Sequence, residues 1–295
     1  MKKYGETYDI IIQEFSPAVP ILLHVCTKKP VILQIQGYTG RKYFEKYNIF
    51  YAVFLYLFER FLPLFYENFI FVSESSRNNY HIHEHKNIEI ISNGIPEKLR
   101  KVEHTEESDY ILYLGRIDIH HKGLDILIKA YTDFYHIFPG IRLIIAGDGR
   151  DGQRFSALLQ KLPPNIRQNI ELQGWVDGER KSDLFKNALM VVMPSRYEAQ
   201  AIVTLEAMAY GKPIIVSDIP ELRYVTQNKA GISFKTGDAS SLARSMKDLL
   251  SSGERKDMGL RGRAWVLTYT WDKIALSYER FLASVLSKDD AGKRG

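Results

Sequence analysis

Residues 190–216 read MVVMPSRYEAQAIVTLEAMAYGKPIIV, and the architecture follows from this stretch. Met190–Met193 is a short apolar run that predicts a strand. A polar loop, Pro194-Ser195-Arg196-Tyr197-Glu198, comes next, and a helix begins near Ile202 and carries Glu206. That helix, Val203–Tyr210, closes at Gly211-Lys212-Pro213, where glycine suits a helix end and proline cannot prolong it. A second apolar run, Pro213–Val216, starts there. Neither run alternates between apolar and polar residues, which predicts strands buried on both faces of a parallel sheet.

The same unit recurs on both sides. Strands are expected at Tyr8–Gln13, Val31–Gln36, Phe69–Val72 and Ile88–Ile91, then at Tyr110–Leu114, Arg142–Ala146, Ile170–Gln173 and Gly231–Phe234. Helical stretches lie between them, such as Gly123–Tyr135, Gln153–Lys161 and Lys181–Asn187. Strands alternating with helices predict an α/β fold of parallel sheets with right-handed crossovers. The charged run Pro96–Asp109 has no apolar period and is expected to be a linker. It separates a first domain, residues 1–104, from a second, residues 105–270. Beyond Gly237 the chain turns helical, at Ser240–Ser251, Glu254–Thr268 and Trp271–Ser287, with a polar tail from Lys288 expected to fray. Residues 271–295 are expected to pack back towards the first domain.

Composition narrows the function classes. The chain has 295 residues with 40 basic and 35 acidic side chains, a net charge of +5, which admits phosphate-bearing ligands but is too small and scattered for nucleic acid. Cys26 is the single cysteine, so neither a disulfide framework nor a cysteine-based zinc site is available, and a cytoplasmic location fits. The aromatic-rich stretch Tyr43–Tyr66 is expected to be mostly core of the first domain. Within Ile49–Val72, charges and Pro63 interrupt the apolar run too soon for a span of ~20 residues, so a helix ending near Pro63–Tyr66 is expected. Peripheral contact of that helix with a membrane surface is the alternative. His81, His83 and His85 alternate as ligands might on a strand, but they sit in a polar region and are read as solvated, so no metal is expected.

In open parallel sheets ligands bind beyond the carboxyl ends of the strands. After Tyr110–Leu114 come Gly115 and Arg116, then Lys122 at a helix start, which reads either as a diphosphate grip or as two solvated cations. After Arg142–Ala146 comes Gly147-Asp148-Gly149-Arg150-Asp151-Gly152. This has the G-x-G-x-x-G spacing of a dinucleotide loop, so an NAD-dependent oxidoreductase enters as an alternative. Glu171, the acidic residue near the required offset, lies inside a predicted strand, which favours a plain Gly-Asp turn. Glu198 and Glu206 place two carboxylates on a loop and the helix after it. They suit sugar hydroxyls, or equally a helix cap and an exposed helix face.

Taken in order, GR…KG, AGDG, LQGWV and PSRYE…LEAMAYGKPIIVSDIPELRYV resemble the nucleotide-binding half of retaining GT-B glycosyltransferases of family 4, across about residues 70–285. The resemblance implies two Rossmann-like domains facing each other across a cleft. It implies that Arg116 and Lys122 hold the donor diphosphate, with Gly115 and Gly147 beside them, and that Glu206 binds the ribose. Glu198 would contact the transferred sugar, the backbone at Ala201, Ile202 and Val203 would meet phosphate or sugar, and Trp175-Val176 would lie beside the base. Glu198, Arg116 and Lys122 are then the catalytic set. The substrates implied are a UDP- or GDP-linked sugar and a glycan or lipid-linked hydroxyl acceptor. No cofactor is expected, and no D-x-D pair occurs, which implies a metal-independent reaction. Two departures stand out. Gln36, with Gly37 on the acceptor side, occupies the place where the family carries a histidine, and an amide cannot serve as a base. The family's opening strand and Gly-Gly loop have no counterpart, so the first domain is expected to be incomplete, and a nucleotide-sugar-binding remnant is the second reading.

Overall fold

The computed structural model describes residues 7–19, 22–102 and 108–294, with side chains to Asp289. Two compact units emerge: Met1–Asn93 with Trp271–Gly295, and Gly94–Thr270. Among the described residues ten strands make two wholly parallel sheets. In the first unit β1 (Ile11–Glu14), β2 (Val31–Ile35), β3 (Asn68–Phe71) and β4 (Asn87–Ile90) lie in sequence order. Pairing of Glu14 with Gln34 carries β1 one residue beyond the expected Tyr8–Gln13 and leaves Tyr8 outside it.

The second unit holds β5 (Tyr110–Leu114), β6 (Arg142–Ala146), β7 (Ile170–Gly174), β8 (Met190–Met193), β9 (Ile214–Ser217) and β10 (Gly231–Phe234). Their spatial order is β10-β9-β8-β5-β6-β7. The order reverses between β5 and β8, so the crevice past their carboxyl ends is where a doubly wound sheet binds its ligand. Two apolar layers cover its faces. One gathers Leu127, Tyr131 and Phe134 of helix Leu124–Tyr135 with Leu242 and Met246, and the other gathers Leu205, Met208, Val225 and Val266.

Three expectations are corrected. The polar run from Pro96 is not a free linker: Glu97–Lys101 is a 3-10 turn with Leu99 buried, Ile95 pairs with Thr270, and the Arg263 guanidinium donates to the carbonyls of Arg100 and Val102 at 2.9 and 2.8 Å. Two apolar residues four apart sufficed to seat a segment that charge made look solvated. Its residues 103–107 lie outside the described ones. The last helix runs on to Arg294, through Gly292 and past the expected stop at Ser287, because no proline follows Ser287 to break it. The third correction concerns Tyr43–Tyr66. Helix Ile49–Phe61 buries Ala52, Leu55 and Glu59 but exposes Ile49, Phe50, Val53, Phe54, Leu57 and Phe61. The first unit's main core gathers Leu33, Ile35, Phe69, Phe71 and Tyr80 around the strands; from the stretch only Leu62 and Tyr66 join it, while Tyr43, Ala52 and Leu55 form a small cluster of their own. The buried stripe of this helix packs on the turn Gly40–Lys42, the short helix Tyr43–Lys46 and the 3-10 turn Leu62–Phe65, which leaves its other side uncovered.

Candidate functional site

Three loops meet at the switch point of the second sheet, and their backbones touch. Gly147 follows β6 with φ +139°, and a Cβ there would lie 1.9 Å from the Gly115 carbonyl. Gly123 has φ +67°, and its Cβ would fall 2.0 Å from the Pro194 carbonyl, on the loop after β8. No other residue fits either place. Polar side chains lock the junction. Arg196 grips both oxygens of Asp125 at 2.9 Å and donates to the His120 carbonyl at 2.6 Å. Asp118 accepts from the His121 amide and from Arg150, each at 3.0 Å, and Asp151 accepts from the Ile119 amide at 2.9 Å. Burial pushes the Asp118 and Asp125 carboxyls up, but amide bonds and the neighbouring cations prevail and hold both below the usual range.

Beyond these loops opens a cavity of about 600 Å3. Of the residues singled out in the sequence, Gly115, Arg116, Gly147, Trp175, Val176, Ile202, Val203 and Glu206 line it. Trp175 stands at the rim, 74% exposed, while Val176 packs beneath. Glu206 bonds Lys181 through Oε1 at 2.6 Å, whereas its Oε2 is buried with no hydrogen-bond partner among the described residues. A buried carboxylate oxygen left unpaired at a cavity wall costs about 1–3 kcal/mol unless a ligand donor reaches it. Arg116 is exposed, and no carboxylate among the described residues lies within ion-pair distance of it. Arg116 and one unsatisfied carboxylate oxygen thus face a shared space beside the helix start at Ile202.

Five other candidates stand outside the lining. Lys122 and Glu198 neutralise each other across 2.6 Å, largely buried. Ala201 is buried, and its carbonyl accepts from Thr204 through both the amide, at 2.9 Å, and the hydroxyl, at 2.6 Å. Gln36 and Gly37 belong to the other unit, directly after β2, where the Tyr80 hydroxyl donates to the Gly37 carbonyl at 3.1 Å. Residues overlooked in the sequence also line the cavity: Lys98, Lys181 and Tyr210, the last stacked on Phe185 at 5.1 Å. Only the position of Lys181 near the start of a helix after β7 hinted at it. Glu171, required at a strand end by a dinucleotide site, is held by Arg142 at 2.5 Å inside β7.

Comparison with known proteins bears on this site. An uncharacterised glycosyltransferase of Methanocaldococcus jannaschii is 32% identical over 173 residues, 58% of this chain and 43% of that protein. A phosphatidyl-myo-inositol mannosyltransferase of Mycobacterium leprae is 28% identical over 178 residues, 59% of this chain and 46% of the relative. The chain thus spans less than half the length of these curated relatives in the match. Among solved structures, sucrose-phosphate synthase from Thermosynechococcus elongatus superposes with a TM-score of 0.78 at 20% identity, over 97% of this chain and 76% of that one. Anabaena HepE in complex with UDP superposes with a TM-score of 0.78 at 16% identity, over 96% and 80%. These likenesses establish the GT-B fold. The match to one family runs over residues 94–265, more than half of the chain and all the loops just described: the protein belongs to the glycosyl transferases group 1.

Proposed function

We propose that this chain binds a nucleoside diphosphate sugar, UDP- or GDP-linked, in the cavity past β5 and β8. It transfers the sugar to a hydroxyl of a glycan or lipid-linked acceptor, with retention of configuration and without a metal. The observation that carries the proposal is the unpaired Oε2 of Glu206, walled into the same cavity as Arg116. A ribose presents vicinal hydroxyls, and a carboxylate held by Lys181 through one oxygen is left to accept from them with the other. Departure of the nucleoside diphosphate builds negative charge. Arg116 and the helix start at Ile202–Val203 stand where that charge would be met, which gives a metal nothing further to supply. In this reading the Lys122–Glu198 pair opens when the donor arrives, Lys122 turning to phosphate and Glu198 to a sugar hydroxyl.

Thermal-shift titration with UDP, GDP, ADP and NAD tests the donor site. At 100 times its dissociation constant a ligand adds about 2.7 kcal/mol of stability, a rise of several degrees. One nucleoside diphosphate is expected to raise the melting temperature, and Glu206→Ala and Arg116→Ala to abolish the rise. Absence of any diphosphate response overturns the proposal, and a response to NAD alone revives the oxidoreductase. A second reading, donor binding without transfer, has its own observation. Gln36 follows β2 where the resemblance expects a histidine, and its amide cannot take a proton. Release of nucleoside diphosphate from the matching sugar nucleotide separates the two readings, and proton NMR of the product reads its anomeric configuration.

A further inference from the structure

We propose that Lys98 selects the nucleobase of the donor: it donates to a carbonyl oxygen at the far edge of the base, so that keto bases are accepted and amino bases refused. This rests on the donor site proposed above and names the residue that chooses within it. The helix from Ile202 serves as a ruler. Ile202, Glu206 and Tyr210 all line the cavity. Four residues apart, they fall on one stripe of the helix, each about 6 Å beyond the last. The Tyr210 amide donates to the Glu206 carbonyl at 3.0 Å, so the spacing holds to the helix end. With phosphate at the helix start and ribose at Glu206, the base comes level with Tyr210, because a nucleotide is built in that order. The walls there suit a flat ring. Pro96, Leu99 and Val176 are apolar, and the Tyr210 ring is fixed by stacking on Phe185.

A second cavity, of about 470 Å3, adjoins the first. Lys98, Leu99, Gly178 and Tyr210 border both, whereas Arg116, Gly147, Ile202 and Glu206 border the first alone. The junction therefore lies at the base end, away from the phosphate end, and Lys98 is the charged residue on it. Asp177 borders only the first cavity and Glu179 only the second. The backbone that carries Lys98 is fastened: Leu99 is buried, Ile95 pairs with Thr270, and Arg263 holds the carbonyls of Arg100 and Val102. Glu97, its neighbour, is taken by Arg100 at 2.9 Å, and Lys98 has no ion pair or hydrogen bond among the described residues. An ammonium has three donors and no acceptor. The ring substituent farthest from the ribose is a carbonyl oxygen in uracil and guanine, which accepts. In cytosine and adenine it is an amino group, which opposes its own donors to those of Lys98. A site made to hydrogen-bond one group rejects the analogue that cannot answer it.

Calorimetric titration of the full chain with UDP against CDP, and with IDP against ADP, provides the test. Within each pair the ring size is the same, and the far-edge group is keto in one member and amino in the other. In the pair whose ring size fits, the keto member is expected to bind at least about tenfold more tightly. Lys98→Met should shrink that ratio to within about threefold by weakening the keto member alone, and Lys98→Glu should invert it. Pyrophosphate, which carries no base, should compete as strongly in the variants as in the wild type. Lys98 is exposed, and an unchanged melting temperature without ligand certifies that the variants fold. A ratio that Lys98→Met leaves intact overturns the proposal. So does a loss shared equally by both members and by pyrophosphate, since the lysine would then act only as a general cation. A wild-type preference for the amino member overturns it too. Binding of none of the four nucleotides removes the donor site itself, and the selection with it.

Discussion

Helices Ile49–Phe61 and Ile202–Ala209 are both dominated by apolar residues, and each contains a glutamate, yet they treat water in opposite ways. Ile202–Ala209 is sandwiched: Leu205, Ala207, Met208 and Ala209 are buried, helix Arg255–Val266 packs across it, and its charged residue, Glu206, is turned to the cavity. Ile49–Phe61 keeps its glutamate inside and shows its phenylalanines to solvent. Hydropathy cannot tell these two helices apart. What differs is the number of layers around them. A six-stranded sheet with helices on both faces leaves a helix one narrow polar exit, and that exit becomes the wall of the cavity. In the first unit short helical turns cover one side of the helix, and the side left over becomes a surface.

The largest expected difference between the two is in core truncation. Leu205 is fully buried, so Leu205→Ala should cost about 2–5 kcal/mol in chemical denaturation of the second unit, the sum of lost transfer energy and a cavity. A cost below about 1 kcal/mol would mean that the helix is not sandwiched at all. Next in size is Asp125→Ala. It strips two hydrogen bonds from a largely buried guanidinium and should cost about 1–3 kcal/mol, with the nucleotide-induced thermal shift weakened because the loop of Glu198 loses its tether.

That tether marks where sequence reading stops. Strands β5, β6 and β8 lie where continuous apolar runs place them, because burial on both faces leaves an unmistakable imprint. Residues following those strands, Gly115, Arg116, Gly147 and Glu206 among them, line a common cavity because parallel topology carries every strand end to one side. Pairings are another matter. Arg196 finds Asp125 across 71 positions, and Lys181 finds Glu206 across 25. Neither pair has a local period, and a charged residue on a loop looks the same whether it is solvated or locked. The exposed side of helix Ile49–Phe61 was illegible for the converse reason: an apolar helix states that it needs cover without saying what provides it.

Acid should separate the two units further. The Asp118 and Asp125 carboxyls are pushed up by burial but held below their ordinary 3.8 by amide bonds and cations. Depressed values stabilise the fold above pH 3.8, and that stability is lost as pH falls through the folded values. Glu59 runs the other way: burial raises it above 4.5 despite the three bonds it accepts. Its contribution is fully present below pH 4.5 and is lost as pH rises through the folded value. Glu59→Gln should remove that dependence and cost about 1–2 kcal/mol, since one amide hydrogen must face the Thr39 or Gly40 N–H. Denaturation curves collected from about pH 2 to 7 report both slopes, and an acid-induced loss that Glu59→Gln leaves untouched places the sensitivity in the second unit.

The smallest effect is the most instructive. Leu57 is 44% exposed, between Tyr56 and Phe58 in sequence. Leu57→Ala removes little buried surface and replaces leucine with a residue at least as helix-prone, so the stability change should stay within about 0.5 kcal/mol. A denaturation midpoint that moves as far as that of Leu205→Ala would place Leu57 in a core and remove the contrast between the two helices.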